Sequence, residues 1–217
     1  MAIPRLAWGS GHGDEHAAPP KAKSEKKPEP KHEPNTAHAA PHAPATQKVT
    51  PDEALARLLD GNKRFVNAKM FHPNESVEAR NRLATGQAPF AAILGCADSR
   101  VPPETVFDPG LGDIFEVRVA GNIVEDAGSG SFEYAVEHLG TPLIVVLAHE
   151  RCGAVKAAVE LLESGEEAPG HIAELVRKLK PAVMKTKDQP GDKPENAMRE
   201  NAKRMAAELA GLEPILK

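Results

Sequence analysis

The chain has 217 residues, 27% of them charged, a formal charge of −4 and only two cysteines. That length suits one domain with a sizeable core and is short for two. No basic stripe with interleaved aromatics occurs, which argues against nucleic acid as a partner. The longest apolar runs, near Phe90 and Leu143, reach about six residues against the roughly 20 a bilayer span needs, which argues against a membrane.

Residues 1–48 form the first segment. From Gly9 to Gln47 the chain is Ala, Pro, Lys, Glu and His with almost no large apolar residue. Such a composition buries too little surface to offset ordering entropy and predicts a disordered tail. Five histidines lie in it, His12, His16, His32, His38 and His42; a solvated linker accounts for them better than a metal site. The opening residues lack the apolar stretch of a signal peptide, so the chain as written reads as cytoplasmic. A polar tail of this kind also follows removed export leaders, which leaves a periplasmic or exported location open.

The folded domain is expected over residues 49–217. Thr50-Pro51-Asp52-Glu53 predicts a helix start, with Thr50 as N-cap, Pro51 in the first turn and Glu53 closing a capping box. Leu55, Leu58, Leu59, Asn62, Phe65 and Val66 then follow helical spacing. Residues 76–86 predict a second, more polar helix. Phe90–Gly95 is a continuous apolar run, as in a strand covered on both faces. Ile114–Ala120 is a second strand, Ser129–Leu139 a helix closed by Gly140, and Leu143–Ala148 a third strand. Helices follow at Ala154–Glu163, Ile172–Leu179 and Pro194–Leu212. Strands alternating with helices predict an α/β fold with a parallel β-sheet core flanked by α-helices. In such sheets ligands collect beyond the carboxyl ends of the strands.

Both cysteines occupy that position. Cys96 opens Cys96-Ala97-Asp98-Ser99-Arg100 after the first strand, and His149-Glu150-Arg151-Cys152 follows the third. A disulfide or two inert thiols would leave Asp98 and His149 at ligand-like spacings unexplained. Two thiolates, an imidazole and a carboxylate complete a tetrahedral zinc shell, with oxygen the most replaceable ligand. Cys96, His149 and Cys152 are thus candidate zinc ligands and Asp98 an optional fourth. With Asp98 bound the site is closed; with Asp98 released a water takes the vacancy and can be activated. Arg100 offers Asp98 a competing, charge-assisted partner. Two thiolates neutralise the ion's charge, so bound water should ionise above the roughly pKa 7 of an all-histidine site. Activity is therefore expected to rise on the alkaline side of neutrality.

Cys96 to Glu104, taken with His149 to Lys156, resembles the β-class carbonic anhydrase family. So do Val117-Arg118-Val119-Ala120-Gly121-Asn122 and Gly130-Ser131-Phe132-Glu133-Tyr134-Ala135. The resemblance runs from about Val49 to the end of the chain. It implies reversible hydration of carbon dioxide to bicarbonate and a proton, with one Zn2+ per chain held by Cys96, His149 and Cys152. It also implies a catalytic dyad of Asp98 and Arg100, and a homodimer or higher homo-oligomer in which the N-terminal helix lies across its partner. Two further readings keep the zinc: a carbon disulfide or carbonyl sulfide hydrolase of the same fold, and a non-catalytic zinc-binding protein.

The chain departs from the family pattern in three places. Its only tryptophan is Trp8, so the Trp-lined inhibitory bicarbonate pocket of some members is not expected. Asp108 and Pro109 stand where many members carry a substrate-side Gln. The family's last two strands have no counterpart after Leu212, so an early-terminated chain is expected, with Leu143–Ala148 left as an apolar edge.

Overall fold

A computed structural model describes residues Val49–Leu216. The tail expected over residues 1–48, with Trp8 and its five histidines, lies outside the described residues. The chain order is α1 (Pro51–Val66), α2 (Val77–Leu83), β1 (Ala91–Gly95), α3 (Pro103–Val106), β2 (Ile114–Arg118), α4 (Asp126–Glu137), β3 (Ile144–Val146), α5 (Gly153–Ser164), α6 (Ile172–Thr186) and α7 (Lys193–Ala210). The α/β class and the strand–helix alternation are as expected.

β1 is the central strand of a three-stranded sheet ordered β2-β1-β3, parallel to both neighbours. It is buried along its whole length, and its side chains alternate between two cores. Ala92, Leu94 and Cys96 join a cluster with Phe132 of α4, Val155 and Val159 of α5, Leu179 of α6 and Met205 of α7. Ala91 and Ile93 face Ala54 and Leu58 of α1, together with Phe107. The period-two alternation of a strand thus aims the Cys96 thiol at the helical layer built by the C-terminal half.

The capping box at Thr50 forms as expected. The Thr50 hydroxyl accepts from the Glu53 amide at 3.2 Å and the Glu53 carboxylate accepts from the Thr50 amide at 2.8 Å. The apolar stripe of α1 divides, however. Ala54, Leu58 and Gly61 are buried, while Leu55, Leu59, Phe65 and Val66 are exposed. Gly61 decides which face turns inward, because a Cβ there would stand 1.6 Å from the Phe107 carbonyl oxygen.

Several boundaries move. α6 runs to Thr186 rather than ending near Leu179, and passes through Pro181. The Pro181 ring lies on the exposed side, while Leu179, Ala182, Val183 and Thr186 keep the inner face packed beyond it. Tertiary burial here outweighs the proline's lost hydrogen bond. α4 begins at Asp126 rather than Ser129 and runs through Gly128 and Gly130. β3 shortens to three residues and lies at a sheet edge as expected; Ile215 and Leu216 border a groove with Leu143, Ile144 and Val146. α3 was not expected; it follows Pro102 and opens on Pro103, whose fixed φ suits a first helical turn.

Candidate metal centre

Cys96 and Cys152 come from different chain segments, each lying beyond the carboxyl end of a parallel strand. Cys96 directly follows β1, and Cys152 is the N-cap of α5. Both are buried, at 3% exposure, and neither is in a disulfide. Their sulfurs stand 3.9 Å apart. With His149 they form a group whose ligand atoms all lie within 4.8 Å of one another. No other such group of three His, Cys, Asp or Glu occurs among the described residues.

His149 is oriented before any ion arrives. Its Nδ1 lies 3.0 Å from the Glu150 carbonyl oxygen, which can only accept, so Nδ1 carries the proton. Nε2 is left with its lone pair free, and that atom is buried without a hydrogen-bond partner. An orphaned imidazole nitrogen beside two buried thiols is costly in a closed interior and suits a metal ligand whose other nitrogen is anchored to backbone.

The thiols are electrostatically unequal. Cys96 is pulled down to about 4, first by the facing Cys152 and then, against its burial, by the Asp98 and Gly121 amides. Gly121 N lies 3.3 Å from the Cys96 sulfur. Cys152 is pushed the other way by the Cys96 sulfur and by burial, although the amides of Val155 and Ala154 at the start of α5 favour its thiolate. One thiolate beside one thiol is the arrangement expected of two close sulfurs without a cation. A divalent ion between them favours both as thiolates.

Asp98 stands outside this group of three, held by Arg100. Its Oδ1 accepts from the Arg100 backbone amide and from Nε, both at 2.9 Å, and its Oδ2 accepts from Nη2 at 2.7 Å. These bonds hold the carboxyl well below the usual carboxylate range. The same Nη2 donates to the Arg151 carbonyl at 3.1 Å, tying the first half-site to the second. Asp98 Oδ2 remains 3.8 Å from His149 Nε2, at the mouth of the cluster.

Asp108 does not face the cluster. It is buried, and its carboxylate accepts from Arg64 Nε at 2.5 Å and from the amides of Phe71 and His72 at 2.9 and 3.0 Å. Asp108 is therefore an anchor for the α1–α2 connection.

Sequence reasoning gave no role to Arg118, at the end of β2. Its Nε donates to the Cys96 carbonyl at 2.9 Å and its Nη2 to the Asp98 carbonyl at 2.8 Å, so one guanidinium holds both ends of Cys96-Ala97-Asp98. The available signal was a lone cation closing an otherwise largely apolar strand.

Residues 91–216 match a family model described as carbonic anhydrase. The chain belongs to the carbonic anhydrase family. Among curated relatives, carbonic anhydrase 2 of Mycobacterium tuberculosis is 48% identical over 136 residues, 63% of this chain and 66% of that protein. The Mycolicibacterium smegmatis carbonic anhydrase is 46% identical over 134 residues, 62% of this chain and 65% of its own length. The chain thus spans slightly under two thirds of these relatives. Among solved structures, the Coccomyxa β-carbonic anhydrase in complex with acetazolamide has a TM-score of 0.56 at 25% identity, covering 75% of this chain and 73% of that one. A tetrameric β-carbonic anhydrase of Sordaria macrospora has a TM-score of 0.56 at 26% identity, covering 75% and 83%. The fold is that of the β class.

Proposed function

We propose that this protein is a zinc enzyme that reversibly hydrates carbon dioxide to bicarbonate and a proton, with residues 49–217 as the catalytic domain. The observation that carries the reading is the convergence of Cys96, Cys152 and the partnerless Nε2 of His149 within 4.8 Å. Cys96, His149 and Cys152 would hold one zinc ion, which supplies Lewis-acid activation of water next to carbon dioxide.

The chain's own residues supply the rest. Asp98 would accept a hydrogen bond from the reacting water, turning its lone pair toward the carbon. Arg100 keeps Asp98 ionised and bonded to itself, and would so hold the carboxylate off a bound ion and leave a coordination place for water. Arg118 holds the backbone on which Cys96 and Asp98 are mounted. The exposed Leu55, Leu59, Phe65 and Val66 of α1 support a homo-oligomer in which a second copy covers this face.

Carbon dioxide hydration followed by rapid mixing with a pH indicator tests the reading. Activity should vanish with a chelator and return with added zinc. Protein that holds one zinc per chain yet hydrates no carbon dioxide would overturn it. Carbon disulfide and carbonyl sulfide in the same assay separate hydratase from hydrolase.

A further inference from the structure

We infer that Asn201, on α7, is a positioning residue that sets the Cys96 sulfur toward the metal through the backbone of Gly121. The inference rests on the zinc reading above and adds a residue that none of the site motifs contains.

Asn201 is fully buried, on the inner face of α7 with Met198 and Met205. Its Nδ2 lies 2.9 Å from the Gly121 carbonyl oxygen, and since that oxygen can only accept, the amide must donate. Gly121 in turn donates its N–H to the Cys96 sulfur. Asn201 and Cys96 therefore grip the two sides of one residue.

That residue is a glycine at φ +76°, where a Cβ would stand 3.1 Å from Leu179 Cδ1 and 3.4 Å from Ala154 Cβ. A side chain there would be strained and crowded. Glycine supplies the positive φ of a turn closed by the Asn122 N–H on the Val119 carbonyl at 2.8 Å. The Asn201 side chain is the tertiary contact that holds this turn, through the Gly121 carbonyl, against α7.

Core stability alone does not account for Asn201. Its Oδ1 is buried without a partner, a cost that its single bond to the Gly121 carbonyl offsets only in part. One turn further along α7, Met205 Sδ lies 3.4 Å from the Val124 amide nitrogen, and Lys178 Nζ donates to the Val124 carbonyl at 3.1 Å. α6 and α7 thus hold this stretch at two points, and only the Asn201 point leads to the thiolate. An N–H donor aimed at a ligating sulfur fixes its direction as well as drawing off some of its charge; losing such supporting bonds costs about 10–100-fold in metal affinity, because misplacement of the ligand outweighs the donation it regains.

The test measures zinc affinity by chelator competition and the sulfur-to-cobalt charge-transfer band of the cobalt-loaded protein. Asn201→Leu should weaken zinc binding about 10–100-fold and move the band to lower energy, because the released sulfur donates more strongly. Met205→Leu should leave both unchanged. A folded Asn201→Leu protein with unaltered affinity and band overturns the inference while leaving the zinc reading intact. Unsubstituted protein that binds no zinc sinks that reading itself. If Asn201→Leu does not fold, Asn201→Ala, which removes the donor without adding bulk, takes its place with the same outcomes. Should neither fold, the unsubstituted protein loaded with cadmium-113 decides. Its Gly121 amide proton must couple to the metal across the N–H···S bond, and the Asn201 side-chain nitrogen to the Gly121 carbonyl carbon. Absence of either coupling overturns the inference.

Discussion

Two aspartate–arginine pairs lie on neighbouring turns of the chain and differ in nearly everything but chemistry. Asp108 and Arg64 are 44 positions apart, meet at 2.5 Å, and leave the Asp108 side chain 1% exposed. Asp98 and Arg100 are two positions apart, meet at 2.7 Å, and leave Arg100 56% exposed. Asp108 also takes two amides from the α1–α2 connection, so moving it would orphan several groups at once. Asp98 takes its side-chain hydrogen bonds from Arg100 alone and looks across 3.8 Å at His149. The lesson is that the same ion pair is an anchor when its partners come from several segments, and a movable group when they come from one.

The largest expected effect separates the two directly. Asp98→Asn should lower turnover at least about 100-fold, the usual scale of a positioned proton acceptor, with zinc content unchanged by metal analysis. Asp108→Asn should leave turnover per bound zinc near that of the parent. Equal losses of turnover in both variants would break the comparison.

Next in size is stability. Arg64 is partly exposed, so removing its buried partner costs less than the loss from a fully buried pair, about 1–3 kcal/mol; Asp108→Asn should show a lower midpoint in urea, whereas Asp98→Asn should not. Acid sharpens the same contrast. Burial, which raises the Asp108 carboxyl, is outweighed by Arg64 and the Phe71 and His72 amides, leaving it below its ordinary 3.8. Its stabilisation is therefore present above about pH 4 and lost as pH falls through the depressed folded value. Asp108→Asn should flatten that acid limb of a stability–pH curve.

Activity itself should climb between neutral and alkaline pH, since two thiolates leave the ion little positive charge with which to acidify water. A flat rate from pH 6.5 to 9 would exclude a rate-limiting water ionisation of that kind.

The smallest effect has the opposite sign. Glu116 on β2 is pushed up to about 8, first by burial and then by the facing Glu104. A raised carboxyl favours the fold below its ordinary 4.5 and loses that contribution as pH rises through 8. Allowing for solvent screening, Glu116→Gln should gain about 1 kcal/mol at pH 8.5 and nothing near pH 4. Thermal melts at the two pH values check it.

Local chemistry made much of this legible. The Thr50–Glu53 capping box and the apolar run of β1 act within a few residues, and their expected and observed positions agree within one. Boundaries were harder where distant packing overrode local preference, as at Pro181 in α6 and the glycines of α4. The burial of α1 was legible only in part. Helical spacing identifies an apolar stripe, but the Gly61–Phe107 approach selects which edge of it turns inward.

What the amino-acid order determined by itself was the kind of atoms available: two sulfurs, an imidazole and a carboxylate, each just past an apolar strand. Their residue types and short spacings carry that message without any fold. Tertiary structure alone decided that Asp108 faces Arg64 rather than the cluster, that Arg118 grips the Cys96–Asp98 backbone, and that Asn201 reaches Gly121. Those contacts join segments 20 to 80 positions apart. Such pairings follow from how whole layers pack, and no periodic pattern along the chain encodes them.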